Sequence, residues 1–208
     1  MAELRVVDHP LLSRHLAVLR AASTTREAFR RALGEAAAVL AYEATRDLAV
    51  QPVAISTPLE ETRGATPALP VAVVAILRAG LGMVDGFLRH VPEADIGHLG
   101  MYRDEESLEP VPYYESLPAS LPAASVFVVD PMLATGGSAA AAITRLREVG
   151  AARLHLVALV AAPEGVAAVR GAHPGVPITV AALDRGLDER GYIRPGLGDA
   201  GDRLFGTE

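Results

Sequence analysis

The sequence predicts an α/β fold with a parallel central sheet flanked by helices, and three observations carry that prediction. Five short apolar runs, residues 71–77, 96–102, 126–129, 154–160 and 177–183, lack polar alternation, the pattern of strands covered on both faces. Each run leads into a Gly- or Pro-marked turn and then a stretch of helical spacing, the rhythm of strand-helix-strand units. The 208 residues, half of them apolar, suffice for one domain with a sizeable core, and no repeat or low-complexity linker divides them. In such sheets ligands bind beyond the carboxyl ends of the strands, so the residues after each run are candidates for chemistry.

Composition removes whole classes of function. The net charge is −6, all 19 basic residues are Arg, and Lys, Asn, Cys and Trp are absent. A P-loop or Schiff-base lysine, a thiol nucleophile and a Cys-ligated zinc are therefore excluded. Histidines 9, 15, 90, 98, 155 and 173 form no metal-spaced pair. Arg scattered singly through an acidic chain lacks the field that recruits nucleic acid. Few thermolabile residues also suit a thermophile. No uncharged run reaches the ~18 residues of a membrane span, and residues 1–8 carry acids rather than an apolar leader core, so a cytoplasmic protein without a membrane partner is expected.

The elements follow in chain order. Residues 11–20 are apolar at helical spacing, and Thr24-Thr25-Arg26-Glu27 reads as a capping box opening a helix with Phe29, Leu33, Ala37, Leu40 and Ala44 inward. From 51 to 70 four prolines surround an alternating Val53-Ala54-Ile55-Ser56-Thr57, which predicts an extended arm or hairpin rather than a core strand. Subunit contact and plain surface loop stand level as its purpose. After the run 71–77 comes Arg78-Ala79-Gly80-Leu81-Gly82-Met83-Val84-Asp85-Gly86. Gly80, Gly82 and Gly86 mimic a dinucleotide fingerprint with Asp104 as its ribose acid, but Arg78 at the strand end instead suits a diphosphate. The run 96–102 enters the charged, Pro-bounded stretch Arg103-Asp104-Glu105-Glu106-Ser107-Leu108, a solvated loop or a lid.

The strongest signal is Val126-Phe127-Val128-Val129-Asp130-Pro131-Met132-Leu133-Ala134-Thr135-Gly136-Gly137-Ser138, followed by helix formers. A buried strand ends on a carboxylate, a tight loop supplies two hydroxyls and two glycines, and a helix then points its free N–H groups into the loop, making an anion cup. Ala162-Pro163-Glu164-Gly165 follows another strand and reads equally as pocket lining or as a helix start. The tail 191–207 carries five glycines, yet Tyr192, Ile193, Leu197, Leu204 and Phe205 argue for a packed loop with exposed backbone donors and acceptors.

These strings, in this order, resemble the type I phosphoribosyltransferases and, among them, the uracil phosphoribosyltransferase family. The string from Asp130 to Ser138 is similar to the motif that holds the ribose 5-phosphate of phosphoribosyl diphosphate (PRPP). The Arg78 stretch and the tail are similar to the family's diphosphate-binding and uracil-binding segments. The resemblance covers nearly the whole chain, least over 51–70. It implies one type I domain with a C-terminal hood (190–208), a flexible loop over the reacting centre (103–115) and the extended arm. It implies substrate contacts from Arg78, Arg103, Asp130, Pro131, Met132, Leu133, Ala134, Thr135, Gly136, Gly137, Ser138, Ile193, Gly198, Asp199 and Ala200, with Arg103, Asp130 and Asp199 closest to the chemistry. The reaction implied is uracil plus PRPP to UMP plus diphosphate, with Mg²⁺ carried mainly by PRPP, no protein metal site, GTP allowed as an activator, and a homodimer or larger homo-oligomer. Two positions stand out. Pro131 replaces the second of the two adjacent acids in the usual phosphoribosyltransferase motif, a form of the motif similar to the uracil phosphoribosyltransferase version, and leaves Asp130 alone on the ribose side. Arg194 stands where an apolar residue is expected, harmless if its side chain turns outward. A purine transferase is disfavoured by the tail, and an RNA-binding regulator of this fold by the acidic balance.

Overall fold

The computed structural model of the chain describes residues 3–103 and 110–207. The first half holds β1 (Leu4–Val6), α1 (Pro10–Arg20), α2 (Arg26–Ala44), β2 (Val50–Ser56), β3 (Glu61–Pro67), β4 (Val71–Leu77), α3 (Leu81–Leu88), β5 (Asp95–Arg103) and β6 (Pro110–Ser116). The second half holds β7 (Ser125–Val129), β8 (Met132–Leu133), α4 (Gly137–Glu148), β9 (Arg153–Ala161), α5 (Pro163–Ala172), β10 (Ile178–Leu183), β11 (Gly186–Leu187), β12 (Ile193–Arg194) and α6 (Ala200–Phe205).

All five apolar runs become adjacent parallel strands, in the order β10-β9-β7-β4-β5. Their side chains alternate between two cores, as the twofold period of a strand requires. Val71, Val73 and Ala75 pack with α1, α2 and α3 on one face, while Ala72, Val74 and Ile76 pack with α4 and α5 on the other. A strand so covered needs no polar face, which is why its sequence is apolar throughout.

Two strands extend the sheet beyond the reading from sequence. β1 adds parallel to β10, and β6 adds antiparallel to β5. Pro110 and Pro112 disguise β6, because proline cannot donate to a ladder; an edge strand tolerates it. The span predicted as a loop at 103–115 is therefore corrected: residues 110–115 belong to β6, and 104–109, with the Asp104 of the dinucleotide reading, lie outside the described residues. β2 and β3 form a separate antiparallel hairpin off the main sheet.

The capping prediction also needs correction. Thr25, not Thr24, is the N-cap of α2, and its hydroxyl accepts from Ala28 N–H at 3.3 Å. Thr24 Oγ1 instead donates to Val18 O at 2.6 Å, and Glu27 pairs with Arg31 one turn on. The five side chains expected inward are all buried. Among the described residues, no helix is long and apolar enough to cross a membrane.

The glycines of the false dinucleotide fingerprint are packing devices. A Cβ at Gly86 would stand 2.6 Å from Ala37 Cβ and 2.7 Å from Ala38 N of α2, and one at Gly82 would stand 2.3 Å from a Leu33 methyl. Their bare Cα atoms let α3 lie close on α2. Gly86→Ala should thus lower stability in urea by about 1–3 kcal/mol through overpacking, although helix propensity alone would favour it by about 1 kcal/mol. A variant as stable as the parent would refute this close contact.

Candidate active site

Four of the five central strands, all but β9, end at or next to a charged residue on one edge of the sheet. Arg78 follows β4, Arg103 ends β5, Asp130 follows β7, and Asp184 follows β10. The strand order also reverses here: β5 lies on one side of β4, while β7, β9 and β10 run away on the other. Crevices at such reversals are the usual ligand sites of parallel sheets.

After Val129 the chain steps sideways. The Asp130 N–H donates to Val157 O at 3.2 Å, and β8 pairs with the end of β9. Pro131 and Leu133 are buried beneath the turn, with Ala134, Thr135, Gly137 and Ser138 half-buried above them. Gly136 is the N-cap of α4 at φ +83°, where a Cβ would also fall 2.7 Å from Gly165 O. A side chain is doubly excluded. Gly165 reciprocates, since a Cβ there would lie 2.4 Å from Ala134 O. The segment 162–165 therefore starts α5, with Pro163 in its first turn, and braces the turn from behind. α4 has no acid in its first turn and Arg145 and Arg147 in its last, so its positive end is left for an anion.

One pocket of about 260 Å³ joins the scattered motifs. Arg78, Asp130, Met132, Ser138, Asp199 and Ala200 line it, so β4, β7, the start of α4 and the tail meet there. Met101 and Gly201 line it too, and the sequence reading passed over both. Met101 was detectable as the carboxyl end of a predicted strand, and Gly201 as the neighbour of Ala200. Residues 134–137 sit beside the pocket rather than in its wall. Ile193, expected at the base, has its side chain in the apolar core, while Gly198 makes an exposed turn at φ +76°. The side chain of Arg103 lies outside the described residues.

Arg78 is exposed and held loosely by the tail. Its guanidinium donates to Asp202 Oδ1 at 3.4 Å and Thr207 Oγ1 at 3.3 Å, and lies 6.0 Å from the Phe205 ring centroid. Asp199 caps α6, accepting from Asp202 N–H at 2.9 Å. Arg194 turns outward onto Asp188, with Nε donating to Oδ2 at 2.8 Å. The departure at that position thus leaves the pocket untouched.

Asp130 is electrostatically the most unusual group. Burial pushes its carboxyl up from the ordinary 3.8 to about 7; the Met132 N–H, 3.2 Å from Oδ1, opposes the shift, and the charge of Asp199 adds to it. A neutral carboxyl here accepts poorly, whereas its ionised form is a strong acceptor for paired hydroxyls. Two carboxylates facing the same pocket also suit a hard cation brought in by a ligand. Among the described residues, though, no three acidic or histidine side chains gather as a metal site.

The chain as a whole is similar to known proteins. The family model described as uracil phosphoribosyltransferase matches residues 6–207. The uracil phosphoribosyltransferase of Salinibacter ruber is 58% identical, with 100% of this chain and 99% of that protein aligned. Among solved structures, the AQ2163 protein from Aquifex aeolicus superposes with a TM-score of 0.95 at 36% identity, covering 99% of each chain. A hypoxanthine-guanine phosphoribosyltransferase from Bacillus anthracis shares the fold, with a TM-score of 0.52 at 13% identity over 76% of this chain and 80% of that one.

An acid whose pKa is raised by folding binds its proton more tightly in the folded state, so stability falls as pH rises from about 4 through about 7. Asp130→Asn removes that term. Its gain in Tm over the parent should grow across this window and level off above it, and thermal melts showing a constant or shrinking difference would contradict the burial of this carboxyl.

Proposed function

The chain belongs to the uracil phosphoribosyltransferase family, and from that premise we propose that it transfers the phosphoribosyl group of PRPP to N1 of uracil, releasing UMP and diphosphate in pyrimidine salvage. The observation that carries this reading is the single pocket shared by Arg78, Asp130, Ser138 and Asp199. It places a cation, a helix start suited to phosphate and two carboxylates around a space that a ribose ring can occupy.

In this reading the turn 134–138 takes the 5-phosphate through backbone N–H groups and the hydroxyls of Thr135 and Ser138. Asp130, ionised once PRPP is in place, accepts from the ribose hydroxyls. Arg78 leaves its weak contacts with Asp202 and Thr207 for the diphosphate, where Arg103 joins it. As diphosphate departs with the bonding pair of the C1–O bond, the glycosidic carbon gains oxocarbenium character, and Asp130 and Asp199 offset the positive charge. Uracil N1 attacks from the opposite face, giving up its proton to solvent. No protein nucleophile is needed. The backbone of residues 193–200 presents the base. Mg²⁺ fits the site as an ion held by PRPP with Asp130 and Asp199 nearby, and when bound it neutralises charge on the diphosphate.

The reading includes a cytoplasmic homo-oligomer and activation by GTP, as the family resemblance implies. The β2–β3 hairpin supports the first, because a lone two-stranded hairpin is marginal and this one exposes Val50, Val53 and Ile55. A purine transferase and an RNA-binding regulator are the rival outcomes.

Diphosphate release should be rapid with uracil and slower by orders of magnitude with cytosine, hypoxanthine and adenine; turnover of a purine in preference to uracil would overturn the assignment. Arg103→Ala should lower kcat and kcat/KM together by about 10²-fold or more. A change confined to the KM for PRPP would reject its role in the transition state.

A further inference from the structure

Asp184 is one of three polar residues buried among those described, and it takes the guanidinium of Arg20 as a fork. Arg20 Nη1 donates to Oδ2 at 2.8 Å and Nη2 to Oδ1 at 2.6 Å. The pair grips a third partner. Arg20 Nη1 also donates to Gly196 O at 2.8 Å, and the Gly196 N–H donates to Asp184 Oδ2 at 3.0 Å. One residue of the tail, Gly196, is thus held at both its carbonyl and its N–H, in two successive peptide units, by an ion pair joining the last turn of α1 to the end of β10. Gly196 itself stands at φ +62°, where a Cβ would fall 2.1 Å from Ile193 O, so the turn is tightly determined. Arg203 braces the next residue from the same direction, with Nη1 donating to Leu197 O at 2.8 Å and also to Leu19 O, and Nη2 donating to Ala21 O at 2.7 Å.

An apolar pair of similar volume would serve folding at least as well, since desolvating two charges offsets most of their attraction. What the ion pair supplies and an apolar pair cannot is directional hold on Gly196. Two residues beyond lies Gly198, and then Asp199 and Ala200 enter the pocket. We infer that Arg20 and Asp184 are positioning residues for the base: they fix Gly196, and through it the height and tilt of the segment 198–200 against the ribose. This rests on the transferase reading above and assigns a task within it to two residues that line no part of the pocket.

The test is steady-state kinetics on the full chain, with KM for uracil and for PRPP measured separately. The double variant Arg20→Met/Asp184→Leu removes the hold on Gly196 while keeping an apolar core. It should raise the KM for uracil about tenfold or more, because small misplacements near a reacting centre are costly, and leave that for PRPP within about twofold. Arg20→Lys keeps the charge but cannot span Asp184 and Gly196 as a planar fork, and should shift the same ratio less. If the double variant fails to fold, the lysine variant decides by the same ratio. An unchanged KM for uracil, or an equal rise for both substrates, would overturn the inference. An inactive parent with uracil would instead condemn the transferase reading, so the two failures are distinct.

Discussion

The reversal of strand order between β4 and β7 is the constraint on which the site depends. Two parallel strands in register, with Ala75 opposite Val129, end side by side, yet their connections leave toward opposite edges of the sheet. Arg78 and Asp130 emerge between the two exits and line one pocket there with residues 199–201 of the tail. Gly80 closes the floor, since a Cβ would meet Val129 O at 2.6 Å and Ile76 O at 2.5 Å. The loops approach this closely because only backbone stands between them. The turn 134–138 and the tail then dock on a rim whose position the sheet has already set.

The site is held at some expense to stability. A carboxyl pushed up to about 7 is one whose ionised form the empty fold disfavours, and the residue beside it is Pro131 rather than a second acid. The Pro131 carbonyl accepts from both Leu159 and Val160 N–H, which anchors the turn to β9. The residue at that position thus serves the sheet.

Much of this was legible in the sequence, and the remainder was hidden for definite reasons. The strands at 71–77 and 126–129 announced themselves because burial on both faces leaves no polar position to blur their limits. The strand-turn-helix at 129–138 was equally plain, since an apolar run, paired glycines and a stretch of helix formers mark its three parts. β6 was hidden by its two prolines, which only an edge position excuses. The side chain of Ile193 packs in the core, a placement the sequence left open because an apolar residue in a glycine-rich tail fits a pocket wall and a core anchor equally well. The Arg20–Asp184 pair was beyond reach, because 164 residues separate its partners and only the docking of α1 beside β10 brings them together.

The claim at the centre of this account is that one pocket holds a sugar phosphate at the start of α4 and a pyrimidine at the tail. The most direct test is a crystal structure of the protein with UMP. The account predicts the phosphate within hydrogen-bonding distance of the backbone N–H groups of residues 135–138, the ribose over Asp130 and the uracil ring against residues 193–200. UMP bound elsewhere, or a turn left empty at saturating UMP, would contradict it.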